Sequence, residues 1–280
     1  MPAILTVKDL VKRYPSFQLQ NVSFQLEEGK ITGFIGRNGA GKTTTLHSLL
    51  SFIAPDSGEI RFWGDEIREK ELQIKQRIGF VSAGMNFYSK KKLGQITGVT
   101  RMFYERWDDG IYRRYLSAFS LDESKTPEAL SNGMKIKYML ALALSHNADL
   151  LILDEPTSGL DPVSREELLE IFLDLKDQGK TILFSTHITS DLDKTADNIL
   201  YIVDGQIRAE SSLPDFIDAY RLVSYARGEL DDRAKALLIG ERRTKTGFSA
   251  LVRAGDAGKL SLPCSQVNLE EIMVHMEKGE

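Results

Sequence analysis

At 280 residues, 42% of them hydrophobic and 27% charged, the chain has the make-up of one large folded domain plus a small appendage, with ample sequence for a buried core. A formal net charge of -4 leaves the whole chain no electrostatic match for nucleic acid or an anionic membrane. The single cysteine, Cys264, excludes an internal disulfide and fits a reducing cytosol. No apolar run reaches the roughly 18 residues of a membrane-spanning helix, and MPAILTVKDL, with its early acid, does not read as a signal peptide. Work at a membrane would therefore need a separate chain to cross the bilayer.

Short alternating segments, ILTVKDL and NVSFQLEEGKITGFIG, open the chain. Glu28-Gly29 between two strand-like runs predicts a hairpin-rich, antiparallel start. The apolar run ITGFIG (31–36) enters a glycine-rich loop, and KTTTLHSLLSFI leaves it with a helical pattern. From about 85 to 147 no clear strand occurs; LGQITGVTRMFYERW, DGIYRRYLSAFSL and the run after LSNGMK are all helical in pattern. Two buried strands follow, LLILDE (150–155) and KTILFSTH (180–187), separated by a charged helix, PVSREELLEIFLDLKDQG. That rhythm predicts a parallel sheet. NILYIVDGQIRAE (198–210) reads as a hairpin turning at Asp204-Gly205, and beyond Pro214 the pattern becomes a small mixed α/β appendage.

GRNGAGKTT (36–44) matches G-x-x-x-x-G-K-[ST] between a predicted strand and a predicted helix, the context the motif demands. Its members are Gly36, Arg37, Asn38, Gly39, Ala40, Gly41, Lys42, Thr43 and Thr44. The glycines let successive N–H groups face a phosphate, Lys42 supplies a point charge to its oxygens, and the Thr43 hydroxyl suits Mg²⁺. In LLILDEP, Asp154 emerges at the carboxyl end of a strand, where open α/β sheets bind ligands and where a carboxylate completes a metal site begun by Thr43. Glu155, one step on, is placed to orient or deprotonate an attacking water. Alone it would read as a solvated acid. His187 closes the next strand; alone it reads as structural, but on the same sheet edge as Glu155 it can donate to a γ-phosphate. LSNGMK (130–135) opens a helix with a serine and a glycine, either a second anion site or an N-cap on a core helix.

Five stretches in order, GRNGAGKTT, LSNGMK, LLILDE, SGLD (158–161) and STH (185–187), closely resemble the nucleotide-binding subunit of an ATP-binding cassette (ABC) transporter over roughly residues 3 to 212. The resemblance implies a P-loop NTPase of ABC type: a mainly parallel α/β core, an antiparallel β subdomain, an inserted helical subdomain at about 84–148 and a small C-terminal α/β appendage. The cassette is expected over 1–213 and the appendage over 214–280. ATP and Mg²⁺ are the implied ligands. In the family LSNGMK reads the γ-phosphate held by a second cassette facing it head-to-tail, so Ser131 and Gly133 carry over as its contacts and Asp161 as part of the loop that communicates across the dimer. Tyr14, in VKRYPSF, falls where the family stacks an aromatic on adenine; a core tyrosine at a strand end is the alternative. Asn132 and Met134 depart from the commoner glycine and glutamine without removing the backbone N–H groups.

Ala83, in IGFVSA, stands where the family has a glutamine that touches Mg²⁺ and the attacking water. Either that role is lost, or Ser82 or Asn86 assumes it, or the loop is shifted; with Glu155 and His187 retained, hydrolysis is still expected. The following segment lies where the family receives its membrane partner. Phe87, Tyr88, Phe103 and Tyr104 are either docking aromatics or the helical subdomain's own core, and Lys90 to Lys92 read as a solvated charge run. The implied partners are a separately encoded polytopic membrane subunit and a second cassette, identical or paralogous, at the cytoplasmic face of the cell membrane, with no nucleic acid. The details look most like small bacterial exporters. A soluble ABC-type ATPase or a hydrolysis-poor switch is the rival reading; negative charge, no long coiled-coil heptads and no tandem cassette weigh against the first.

Overall fold

The computed structural model describes residues 3–82 and 88–277 and divides into two compact units, Met1–Glu210 and Ser211–Glu280. In the first, β1 (Ala3–Tyr14) and β2 (Phe17–Glu27) lead to β3 (Ile31–Ile35), α1 (Lys42–Leu49), β4 (Ser57–Phe62), β5 (Asp65–Glu66), α2 (Ile67–Lys75) and β6 (Ile78–Ser82). A helical stretch follows, with α3 (Leu93–Thr100), α4 (Asp109–Ala118) and α5 (Asn132–Ser145). The chain then returns to β7 (Leu150–Asp154), α6 (Pro162–Asp177), β8 (Thr181–Thr186), α7 (Thr189–Thr195), β9 (Asn198–Val203) and β10 (Gln206–Ser212).

The central sheet has the order β10-β9-β3-β8-β7-β6, and its neighbours from β9 to β6 run parallel. Every residue of β3, β7 and β8 is buried, the signature of strands covered on both faces and the reason each reads as a continuous apolar run. A second, antiparallel sheet has the order β2-β1-β4-β5. Leu5, Leu10, Phe24 and Phe62 from that sheet share one core with Phe34, Leu46, Ile152 and Leu183.

Glu28-Gly29 does not close a hairpin. The hairpin is β1–β2, turning where Tyr14 pairs with Phe17, while β2 and β3 lie in different sheets. The physical reason is burial: β2 alternates exposed and buried residues, whereas β3 is buried throughout and belongs in a parallel core. The turn at Asp204-Gly205 is a hairpin turn, with φ of 46° and 76°, the positive pair that a two-residue connection between twisted strands requires.

The helical stretch has its own core of Leu93, Ile96, Leu116, Leu121, Leu130 and Leu142. Within it the buried Thr97 hydroxyl lies 2.7 Å from the Tyr112 hydroxyl and 2.9 Å from that of Tyr138, which donates to the Leu93 carbonyl at 3.0 Å. Burial pushes both phenols well above their ordinary range. The second unit comprises α8 (Leu213–Asp218), β11 (Tyr220–Tyr225), α9 (Asp232–Lys235), β12 (Ile239–Arg243), β13 (Phe248–Arg253), β14 (Cys264–Ser265) and α10 (Leu269–Met276). Its sheet, β12-β13-β11-β14, is antiparallel around Val223, Tyr225, Ala250 and Val252.

His146, just past α5, is buried and stacks face to face on Tyr104 at 3.8 Å. Its Nδ1 lies 3.2 Å from the Gln76 carbonyl, which can only accept, so Nδ1 carries the proton of a neutral ring. Burial pushes the imidazole down from its ordinary 6.5 to about 4. A depressed folded-state pKa means the contribution is complete above 6.5 and is lost as pH falls toward 4. Its full size is on the order of 3 kcal/mol. His146→Phe, which keeps the stack but not the titration, is expected to flatten the dependence of the urea midpoint on pH across that window.

Candidate active site

The site is assembled at the carboxyl ends of β3, β7 and β8. Gly36 leaves β3 with no room for a side chain, since a Cβ there would meet the Ile202 carbonyl at 2.4 Å. Gly41, at φ 112°, caps α1 in a conformation closed to other residues, with Phe17 and Leu19 packed where its Cβ would stand. The loop between is pinned by backbone bonds from the Ala40 amide to the Arg37 carbonyl (3.1 Å) and from the Gly205 amide to the Ala40 carbonyl (3.0 Å). Arg37, Asn38 and Gly39 are exposed, as is Thr43, and Thr44 is half-buried.

Lys42 is 5% exposed, and its ammonium donates to the Gly36 carbonyl at 2.6 Å and the Arg37 carbonyl at 3.1 Å. It also lies 3.2 Å from Glu155 Oε1. Glu155 Oε2 is 2.8 Å from His187 Nδ1, so lysine, carboxylate and imidazole form one chain. Glu155 holds this place from a left-handed backbone, φ 48°, a conformation that costs an ordinary residue about 1–2 kcal/mol. Such strain concentrates where a side chain must be aimed.

Asp154 is buried beneath this chain. Its Oδ1 accepts from the Thr43 hydroxyl at 3.1 Å and from the Ser185 hydroxyl at 2.7 Å. Ser185 Oγ in turn accepts from the Glu155 amide at 2.9 Å. Ser185 was not among the residues marked by sequence. The available signal was the STH stretch itself, but its meaning comes from register: Asp154 and Ser185 are partners across the parallel β7–β8 pair. Ser82, at the end of β6, is Asp154's partner on the other side.

Tyr14 stands at the hairpin end of β1, 41% exposed, with the Lys12 ammonium 5.7 Å from its ring centroid. Its cross-strand partner is Phe17, whose ring packs at Gly41. Ser131 and Gly133 have no hydrogen bond or ion pair with the Lys42–Glu155–His187 chain among the described residues. Ser131 caps α5, accepting from the Met134 amide at 3.2 Å. A Cβ on Gly133 would meet nothing nearer than Ser164 at 3.5 Å, which is ordinary contact. Asp161 caps α6, accepting from the Val163 and Ser164 amides at 3.0 Å each, and from the Ser164 hydroxyl at 2.6 Å. The Ser164 bonds, above all, hold its carboxyl below the usual range. Ala83, Asn86 and Phe87 lie outside the described residues. Of the other aromatics, Tyr88 and Phe103 are 65% and 70% exposed, whereas Tyr104 is half-buried against His146.

Residues 19–158 match the family model described as ABC transporter. The chain belongs to the ABC transporter family. It is 32% identical over 251 residues to the bacitracin transport ATP-binding protein BcrA of Bacillus licheniformis, covering 86% of this chain and 80% of that one. It is also 32% identical over 225 residues to the Nod factor export ATP-binding protein I of Cupriavidus metallidurans, covering 78% and 74%. Among solved structures, a dimeric ATP-binding cassette in a post-hydrolysis state, bound to ADP and phosphate, superposes with a TM-score of 0.65 at 25% identity, covering 75% of this chain and 98% of that one. The chain is thus an ATP-binding, ATP-hydrolysing subunit of an ABC transporter. ABC subunits of this kind dimerise and work at membranes with separate transmembrane subunits; among the described residues here, no helix is long and apolar enough to cross one.

Ser185→Ala removes a donor from the buried Asp154 and strands the Glu155 amide. It is expected to cost about 1–3 kcal/mol of stability, read as a lowered denaturant midpoint.

Proposed function

We propose that the chain is the ATPase motor of an exporter, a peripheral subunit at the cytoplasmic face of the cell membrane, with residues 1–213 as the cassette and 214–280 as an appendage. The names of two relatives, a Nod factor export and a fluoroquinolones export ATP-binding protein, support the direction. The observation that carries the catalytic reading is the single chain of contacts Lys42–Glu155–His187 at the opening of the phosphate loop. In it Glu155 orients or deprotonates the attacking water, and His187 and Lys42 meet the γ-phosphate, while residues 36–44 cradle the phosphates with backbone amides. Tyr14 takes the adenine, its exposed ring standing at the hairpin end that abuts Gly41.

The Mg²⁺ position is tested by the donors present. Thr43 and Asp154 present a hydroxyl and a carboxylate already drawn together, the hard oxygen donors Mg²⁺ prefers, and one protein carboxylate suffices when phosphates supply the other ligands. When bound, the cation neutralises charge on the phosphates.

Ser131 and Gly133 serve the nucleotide of a second cassette, which explains why they make no bond to this chain's own cluster. Asp161 belongs to the same face. The exposed Phe103 and Tyr88 fit a docking surface for a separately encoded polytopic membrane subunit; Tyr104 belongs to the subdomain's own packing. No nucleic acid partner enters this reading.

Glu155→Gln is expected to lower turnover about 10²–10⁴-fold and to hold the ATP-bound pair together. Size exclusion of this variant, with and without Mg-ATP, decides the partner: a dimer only with ATP shows two identical cassettes, and a persistent monomer that still binds ATP shows that a paralogue or the membrane subunit is required. Gly133→Ala tests the cross-dimer site separately. Its Cβ has room within its own chain, so the unfolding midpoint should hold while the ATP-dependent pairing is lost.

A further inference from the structure

Asp191, in the first turn of α7, is a carboxylate with no exposed surface. Its Oδ2 accepts from the hydroxyl of Thr157, itself 1% exposed, at 2.6 Å. Its Oδ1 lies 3.2 Å from Arg165 Nε, an ion pair by distance that lacks the alignment of a hydrogen bond. Neither Asp191, Thr157 nor Arg165 belongs to the phosphate loop, and none is needed by the reading of the site given so far.

The three side chains come from three separate segments. Thr157 lies two residues beyond Glu155, Arg165 four beyond Asp161, and Asp191 four beyond His187. The direct contact between Glu155 and His187 is at the surface, with His187 41% exposed, where water competes for the same hydrogen bond. The fixed connections between their segments are therefore the buried ones, through Ser185 on the strand side and through Asp191 beyond His187. A carboxylate is a poor choice there for stability alone: removing it from water is costly, and well-packed apolar side chains often hold such a junction as well or better. Burial accordingly pushes the Asp191 carboxyl up, opposed by Thr157 and Arg165. What a carboxylate adds over an apolar contact is direction at Thr157, through the 2.6 Å hydrogen bond to Oδ2, together with charge attraction for Arg165 at Oδ1.

We propose that Asp191 is a positioning residue for ATP hydrolysis, holding through Thr157 and Arg165 the segment that bears Glu155 and Asp161 in line with His187. The inference rests on the reading of Glu155 and His187 as the hydrolytic pair. It places the effect in turnover rather than in nucleotide affinity, since the loop that cradles the phosphates is untouched.

The test uses the full chain and steady-state ATPase kinetics. Thr157→Val keeps the shape and removes the hydroxyl. It is expected to lower kcat about ten- to a hundredfold through misplacement of the reacting groups, with KM for ATP within about twofold. Thr157→Ser, which keeps the hydroxyl, recovers most of that loss. Asp191→Asn, which keeps an acceptor but removes the charge facing Arg165, falls between. Unfolding midpoints of all three separate loss of fold from loss of rate. The decisive measurement is Thr157→Val in the Glu155→Gln background: a residue acting through Glu155 adds little to the residual rate of that variant. A multiplicative further loss, an equal rise in KM, or unchanged kcat in Thr157→Val overturns the proposal. If Glu155→Gln by itself leaves kcat unchanged, it is the underlying reading of the site that fails.

Discussion

The register between β7 and β8 sets the rest of the site. Because these strands run parallel, Asp154 and Ser185 fall opposite one another, and Glu155, one residue on, and His187, two residues on, leave the same edge of the sheet. Asp154 is then sunk between two hydroxyls, and Glu155 is raised above it by a left-handed turn of the backbone. A slip of one residue would exchange these faces and bury the wrong carboxylate. Both strands are buried throughout, so apolar patterning alone does not forbid the slip, and the polar contacts of Asp154 with Thr43 and Ser185 favour the register seen.

Lys42 makes the dependence electrostatic. An ammonium this buried must be matched, and it is, by two carbonyls of its own loop and by Glu155. The same carboxylate also faces His187. Glu155 is therefore shared between a fixed cation and an ionisable ring, and anything anionic that approaches α1 competes for both. On the function proposed above, phosphate oxygens at the helix N-terminus draw on Lys42 directly, and Glu155 then relinquishes part of its pairing. An acid whose partners can be drawn away in this manner is suited to orient a water only after the nucleotide is in place.

Much of this was legible in the residues. β3, β7 and β8 announce themselves as apolar runs because burial on both faces leaves no polar alternation to read. Asp204-Gly205 announces its turn through backbone chemistry that few other pairs share. Glu28-Gly29 misled because a turn signal reports that the chain bends, not which sheet the next strand joins. Ser185 was hidden for a related reason: its role comes from a residue 31 positions away, which only strand register brings to it. Spacing alone could not separate Phe103 from Tyr104, because a short 3₁₀ turn ends between them and sends one ring outward and the other onto His146.

On the function proposed above, Asp161 and Ser131 each serve two structures. Each caps its own helix, a role worth about 1 kcal/mol, and each also stands on the face assigned to a second cassette. The two caps adjoin: the atoms nearest a Cβ on Gly133 belong to Ser164, and Ser164 is bonded to Asp161. One residue past Ser164, Arg165 reaches Asp191, which binds Thr157 below Glu155. Contiguity of this kind becomes coupling only if some member has two arrangements. The Arg165–Asp191 link is an ion pair without the alignment of a hydrogen bond, so it is the least directional contact in that series.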